Sequence, residues 1–295
     1  MAINQHSVPQ LSEAVRLDRY VAHELGWFPS RAAARKAIKR EEVLLNGSPV
    51  EGSRFLQEGM LLELLAPTRR APKVYERAIS IVYEDTQMAV VEKPPGLPTS
   101  GNKHRTLEHA LPRNLQRPSE PDTLPWPRPV HRLDVRTGGL VICAKTASAH
   151  VALGRIFEHR EIQKNYLALL VGRLEGQGEV RDPIEGRDAC SRYRVLSHTP
   201  TLRTRWVSLV DLSPHTGRTH QLRIHMAGLG HPVLGDDLYG QAHPVLRGKG
   251  LYLWATEVRF THPFSNEPMH LKSKPPTRFQ SFQERETRRW EKHHG

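Results

Sequence analysis

The stretch His131-Arg132-Leu133-Asp134-Val135-Arg136-Thr137-Gly138-Gly139-Leu140 is a polar loop that carries one acid between two basic residues and runs straight into an apolar strand, Leu140 to Ala144. Thr146 is placed to cap a following helix that extends to about Glu158, with Val151, Leu153, Ile156 and Phe157 predicted to face the core. Asp134 is therefore expected at the mouth of a rigid sheet, on the kind of loop that carries functional groups. An aspartate beside arginine and glycine is by itself more often a turn or a surface ion pair, so its weight depends on the rest of the chain.

Upstream, Ile79, Ile81 and Tyr83 alternate as in a strand, and Met88 to Val91 reads as a buried strand ended by Lys93-Pro94-Pro95-Gly96. A helix is predicted from His104 to Leu111, and a proline-rich approach, Pro121 to Pro129, leads to the central loop. Downstream, Lys164 to Leu169 forms a predicted strand whose one aromatic is Tyr166. A further strand, Trp206 to Leu212, enters Thr216-Gly217-Arg218-Thr219-His220-Gln221-Leu222-Arg223-Ile224-His225. There Leu222, Met226 and Leu229 match one helix face, which leaves His220 and Arg223 beside or off it.

The front of the chain reads as a separate small module. Val15, Leu17, Tyr20 and Val21 fall at helical spacing, and Ser30 is a good N-cap for a second helix. The ten residues Arg31 to Arg40 hold five basic side chains and no acid. Arg31, Arg35 and Lys39 line one stripe, while Ala34, Ala37 and Ile38 can pack inward. Val43 to Leu45 and Asn46-Gly47 then give a strand and a tight hairpin turn. The expected organisation is a tail over 1–12, the small module over 13–66, a basic linker over 67–77, a large domain over 78–283 and a charged tail over 284–295.

Composition limits what such a chain does. Its 295 residues suit one large domain with a smaller companion, and the net charge of +12 predicts a polyanionic partner, because basic groups set against phosphates release counterions. No apolar run is long enough to span a bilayer, and the first residues have neither the basic head nor the apolar run of a secretory signal. Two cysteines give no disulfide framework and no clustered metal ligands. The expected compartment is the cytoplasm. A zinc deaminase would need a paired Cys-x-x-Cys, whereas Cys143 and Cys190 stand alone. A nucleotide-dependent methyltransferase would need a glycine-rich strand-to-helix turn, and Gly228-Leu229-Gly230 leads into His231-Pro232 instead.

His131-Arg132-Leu133-Asp134 with Thr137 and Gly139-Leu140, Lys164-x-Tyr166, and Gly217-Arg218-Thr219-His220-Gln221-Leu222-Arg223 together resemble the RluA family of pseudouridine synthases. The resemblance runs from about Ile79 through His262-Pro263 and takes in Lys93-Pro94-x-Gly96, Gly230-His231-Pro232 and Gly235-Asp236. It implies an α+β fold with a mixed, largely antiparallel central sheet, and isomerisation of uridine with no cofactor and no metal. It also implies site roles: Asp134 acting at the ribose, Arg223 pairing with it, Tyr166 stacking on the uracil, Arg132 wedging into the vacated helix and His131 supporting the loop. The front module resembles the S4-like RNA-binding domain, a small α/β unit, which implies RNA contacts by Arg31, Arg35, Lys36, Lys39 and Arg40. Two positions depart from the family patterns: Glu41-Glu42 stands where a glycine is common, and Gly138 where a serine is common.

The implied partner is structured RNA, either ribosomal or transfer RNA. The front module favours large-subunit ribosomal RNA, and a monomer is expected. A non-catalytic ribosome-assembly factor is the rival reading. It shares the charge and the front module but gives no reason for Asp134, Tyr166 and Arg223 to occur together.

Overall fold

In the computed structural model, which describes residues 2–28, 30–65, 73–240 and 250–294, the chain divides into two units, Met1–Arg70 and Ala71–Gly295. The smaller unit contains β1 (Ala2–Ser7), α1 (Leu17–Arg19) continuing into a π-helical turn over Tyr20–Glu24, α2 (Arg31–Lys39), β2 (Val43–Leu45), β3 (Ser48–Pro49) and β4 (Leu61–Leu65). Its antiparallel strands lie in the order β1-β4-β2-β3. Ser30 caps α2 by accepting the Ala33 N–H at 3.2 Å, and Ala34, Ala37 and Ile38 are its buried face. Asn46 and Gly47 both adopt positive φ, as a two-residue hairpin turn matched to strand twist requires.

The tail expected over 1–12 is instead part of this sheet. Ala2–Ser7 pairs with β4, and Val8 is buried with its N–H and C=O bonded to Met60 and Gly59. Asn4, Gln5 and His6 are poor strand formers, so the pairing comes from the open edge of β4 and not from local propensity. Glu41 sits at φ +59, the left-handed geometry that a glycine adopts freely. The departure at 41 thus keeps the helix exit at a cost of about 1 kcal/mol. Glu42 then binds Arg40 through both carboxylate oxygens at 2.7 Å.

The larger unit runs β5 (Ser80–Glu84), β6 (Met88–Lys93), α3 (Leu107–Asn114), β7 (Thr123–Pro129), β8 (Gly138–Thr146), α4 (Ala147–Glu158), β9 (Gln163–Val171), β10 (Gln177–Val180), β11 (Ser191–Thr201), β12 (Arg205–Pro214), α5 (Gln221–Gly228), β13 (Leu253–Thr261), β14 (Pro268–Lys272) and α6 (Arg278–His294). Its sheet has the order β10-β11-β12-β9-β13-β8-β6-β5, with β14 beside β13 and β7 beside β8. Most neighbours are antiparallel, and β13 runs parallel to β8. The fold is α+β with a mixed, largely antiparallel sheet. Every residue of β8 is buried. Val141 and Cys143 join the core beneath α3 and α5, while Leu140 and Ile142 pack on the α4 side. Burial on both faces explains an apolar run without alternation.

Several expectations shift. The proline-rich approach is an edge strand, β7, which pairs with β8 at Thr123, Arg128 and Pro129; prolines lack the N–H that an inner strand must donate. Val151 is exposed because α4 leans on the sheet through a narrower stripe than the spacing suggested, and Leu229 is exposed just past the end of α5. Residues 284–294 of the expected tail continue α6, whose Phe279, Phe282 and Glu286 are buried, with Glu286 engaging Arg285 and Arg289 at 3.2 Å. Residues 67–72 of the expected linker lie outside the described residues. Tyr75, at its far end, donates its N–H to the His109 carbonyl and packs on the core of the larger unit.

The parallel pairing brings Gly138 opposite Trp254 and Gly139 opposite Ala255. Gly139 holds φ +114, and a Cβ there would lie 2.2 Å from the Ala255 carbonyl oxygen. Gly139→Ala is expected to cost about 3 kcal/mol or more through strain and backbone displacement, measured as a lower urea midpoint.

Candidate active site

Asp134 lies in the turn between β7 and β8, closed by the Thr137 N–H donating to its carbonyl at 3.1 Å. Both neighbours are held. Leu133 exchanges two hydrogen bonds with the Thr99 hydroxyl, at 3.0 and 3.1 Å. The Val135 carbonyl accepts from Gly96 N–H at 2.7 Å and from Lys93 Nζ at 3.3 Å. Lys93 is fully buried and also donates to the carbonyls of Leu97 and Pro94, at 2.8 and 3.2 Å. Burial pulls its pKa down to about 7, against the opposing attraction of Asp134. Arg136 anchors the far side of the turn by pairing with Asp237 and donating to the Gly235 carbonyl at 2.9 Å.

The Asp134 carboxylate faces a cavity of about 120 Å³ lined by Arg132, Lys164, Tyr166, His220 and Arg223, among others. Arg223 Nη1 lies 3.6 Å from Asp134 Oδ2, and His220 Nε2 lies 3.9 Å from it. Arg223 is itself fixed by Asp236, which accepts from its Nε and Nη2 at 2.7 and 2.8 Å, and its guanidinium stacks 5.0 Å from the centre of the Tyr239 ring. Burial alone would lower the pKa of Arg223, but Asp236 and Asp134 raise it above its ordinary value. A fixed, permanently charged fork thus points one nitrogen at Asp134. His220 precedes α5 in the left-handed conformation, with Nδ1 2.9 Å from the Tyr239 hydroxyl. Gln221 has all four bonding positions filled: it accepts from Thr216 and Arg218 N–H and donates to the Cys190 carbonyl and Ser191. This ties the 216–221 loop to β11.

Tyr166 projects from β9, between β12 and β13, with its ring almost wholly buried at the cavity wall. Burial, and then the charge of Asp134, push its phenol pKa up, so it stays protonated at neutral pH. His131 accepts the Ile142 N–H at Nε2, 3.0 Å away, and its ring packs 4.7 Å from that of Phe157. Burial, aided by the charge of Lys164, lowers its pKa to about 3. It is a neutral pin between the loop and β8. Arg132 is exposed on the cavity rim and makes no ion pair or side-chain hydrogen bond among the described residues.

Residues 87–228 match the family described as RNA pseudouridylate synthase, and residues 15–62 match the S4 domain. The ribosomal large subunit pseudouridine synthase D of Xanthomonas campestris is 32% identical over 310 residues, covering 93% of this chain and 90% of that protein. The chain belongs to the RluA family of RNA pseudouridine synthases. The dual-specificity RNA pseudouridine synthase RluA of Haemophilus influenzae is 35% identical over 216 residues, covering 68% of this chain and 94% of that one. Among solved structures, human RNA pseudouridylate synthase domain containing 1 is similar with a TM-score of 0.57 at 30% identity, over 68% of this chain and 84% of that chain. The synthase is thus an RNA isomerase carrying an S4 domain at its front.

In that S4 domain the five basic side chains of the second helix are not equally available. Asp18 is buried and pairs with Arg35 at 2.6 Å and Arg31 at 3.0 Å, and Arg40 is spent on Glu42. Burial would raise the carboxyl pKa of Asp18, but hydrogen bonds from Arg31 and Arg35 hold it below the usual range. Lys36 and Lys39 make no ion pair among the described residues.

Sequence reasoning assigned no role to Lys93, Thr99, Asp236 or Tyr239. Lys93 and Asp236 stood in quoted motifs, which is the signal that could have found them. Nothing local marks Thr99 or Tyr239. At Gly138, a Cβ would lie 2.2 Å from the Trp254 ring, so the absent serine side chain is replaced by indole. Trp254 Nε1 in turn donates to Ser273 at 2.9 Å, and Ser273 donates to Glu92 at 2.6 Å.

The titration of Lys93 sets a measurable slope. Between about pH 7 and its unfolded value of 10.5 the folded protein binds fewer protons there than the unfolded chain does. Stability therefore rises with pH across that window, by at most about 5 kcal/mol. Urea unfolding of wild type and Lys93→Met in parallel should show wild type gaining on the variant from pH 7 to pH 10; a constant difference would sink the assignment.

Proposed function

We propose that the synthase converts a uridine of large-subunit ribosomal RNA to pseudouridine, with Asp134 acting at the ribose. The observation that carries this reading is the Asp134 carboxylate itself. It is clamped through both neighbours, faces a fixed guanidinium 3.6 Å away, and opens on a cavity walled by a neutral phenol. The reaction breaks the bond between uracil N1 and ribose C1′, turns the base, and joins C5 to the same carbon. N1 gains a proton and C5 loses one, so the product is an isomer of the substrate and no redox partner or energy donor enters. Two routes are open to the carboxylate: attack on C1′, or removal of the C2′ proton to give a glycal.

Arg223 serves as the counter-charge that aims Asp134, with one guanidinium nitrogen held 3.6 Å from the carboxylate. Tyr166 offers a flat face to the extruded uracil. As a neutral phenol it is a poor base toward C5, so stacking and hydrogen bonding are its assigned roles. Reaching the base inside a stem costs a few kcal/mol of pairing and stacking. Arg132, exposed and free of side-chain partners among the described residues, is the wedge that offsets this cost. His131, neutral and bonded to β8, supports the loop and takes no part in proton transfer.

Ribosomal RNA is favoured by the extent of the similarities. The large-subunit enzyme of Xanthomonas aligns over 93% of this chain, front unit included, whereas the dual-specificity enzyme of Haemophilus aligns over 68%. The working form in this reading is a cytoplasmic monomer, and among the described residues no helix is long and apolar enough to cross a membrane. The S4 domain supplies affinity, through Lys36 and Lys39 directly and through the outward nitrogens of Arg31 and Arg35.

Pseudouridine mapping of cellular RNA from wild-type, null and Asp134→Asn strains tests the activity. The expected result is one or more large-subunit sites lost equally in the null and the variant, with turnover in vitro reduced about a thousandfold or more. Loss of transfer RNA sites alone would reassign the substrate, and no lost site in any RNA would support the binding-factor reading. For the S4 domain, Lys36→Ala with Lys39→Ala should weaken RNA binding and lower the slope of log K against log salt by roughly 0.9 per lost phosphate contact. An unchanged slope would remove these lysines from the interface.

A further inference from the structure

Lys164, two residues before Tyr166, has no part in the chemistry assigned above. Side chains two apart on a strand share a face, so Lys164 and Tyr166 point to the same side of β9. The Lys164 ammonium lies 5.7 Å from the centre of the Phe157 ring, and among the described residues no carboxylate pairs with it. Burial, unopposed by any acid, pushes its pKa down. A cation drawn out of water without a counter-ion is a cost to the fold, and one that an arriving anion relieves.

The surroundings say where that anion would come from. Lys164 lines both the active-site cavity and a neighbouring groove of about 260 Å³, and Pro214, Thr216, Gly217 and Arg218 are common to the two. The groove has an apolar floor of Phe157, Ile162 and Pro214, with Arg160, His215 and Arg218 on its rim. Arg218 donates Nε to the Asp188 carbonyl at 2.9 Å, which leaves its terminal nitrogens for a ligand. Glu158 is the one acid in the lining, and it is exposed. The groove adjoins the cavity through these shared residues, so it lies beside an RNA strand whose uridine enters there.

We infer that the groove seats one of the two phosphodiesters flanking the extruded uridine, with the nucleotide beyond it on the apolar floor and Lys164 as the cation that holds the phosphate. This rests on the uridine-isomerising function proposed above. Lys164 is on this view a substrate-positioning residue and takes no part in bond exchange.

The test uses the RNA hairpin around the uridine converted in vivo, made with a single uncharged methylphosphonate linkage either 5′ or 3′ to that uridine. Binding is read by fluorescence anisotropy with full-length protein carrying Asp134→Asn, so that turnover does not interfere. One of the two linkages should weaken binding about five- to tenfold when Lys164 is present and have no effect on Lys164→Gln. The sensitive linkage then identifies the side on which the groove lies. With unmodified hairpin, Lys164→Gln should show a salt slope shallower by about 0.7 to 0.9, and Lys164→Arg should restore it. The methylphosphonate arm with Lys164 intact does not depend on the variant folding. Two harmless linkages, or equal weakening of both proteins, would overturn the inference. Failure of the functional reading shows separately, as pseudouridine formation that persists in Asp134→Asn.

Discussion

The Lys93 amino group, buried against three main-chain carbonyls, is the interaction on which the site depends. Removing such a group from water costs several kcal/mol, a cost recovered only where the acceptors are well placed. Two of those carbonyls, of Pro94 and Leu97, belong to the turn after β6, and the third belongs to Val135 beside Asp134. One side chain therefore fastens two loops to each other. Thr99 repeats the fastening one residue before Asp134. The carboxylate is carried on a loop, yet its backbone has little more freedom than that of a strand. Such fixity suits the role proposed for Asp134, because a group already in place need not reorganise to act.

The counter-charge is arranged with the same economy of motion. Arg223 could collapse onto Asp134 and form a tight bidentate pair, which would leave the carboxylate satisfied and unreactive. Asp236 prevents this by occupying Nε and Nη2, with Tyr239 stacked on the guanidinium plane. Asp134 is left with a charge at 3.6 Å and not a closed hydrogen-bonded fork. Asp18 plays a related part in the S4 domain, where one buried carboxylate gathers Arg31 and Arg35, while Lys36 and Lys39 make no ion pair among the described residues. In both units a buried acid sorts basic side chains into those that build the surface and those that remain open.

The two departures from the family patterns are accommodated in different ways. Gly138 makes room for the Trp254 ring across the parallel pairing, and Trp254 is held in turn by Ser273 and Glu92. Glu41 takes the strained left-handed position itself. The first change trades a side chain for packing from the next strand, and the second accepts local strain to end the helix at the same place.

What the sequence determined by itself were the features that depend on local pattern: the capped helices at Ser30 and Thr146, the Asn46-Gly47 turn, the buried strand after the Asp134 loop, and the motifs that carry Asp134, Tyr166 and Arg223. Caps, turns and periodicity are properties of a few adjacent residues, so they can be read from order alone. Tertiary structure decided the rest. Ala2–Ser7 became a strand because β4 had a free edge, and residues 284–294 stayed helical because Phe279 and Phe282 packed on the sheet. The basic stripe of the second helix looked uniform until Asp18, seventeen residues before Arg35, was seen to claim part of it. Lys93 and Thr99 reach the Asp134 loop from more than thirty residues away. Their partners are main-chain atoms, which every residue possesses, so no side-chain pattern announces the contact and only the folded chain reveals it.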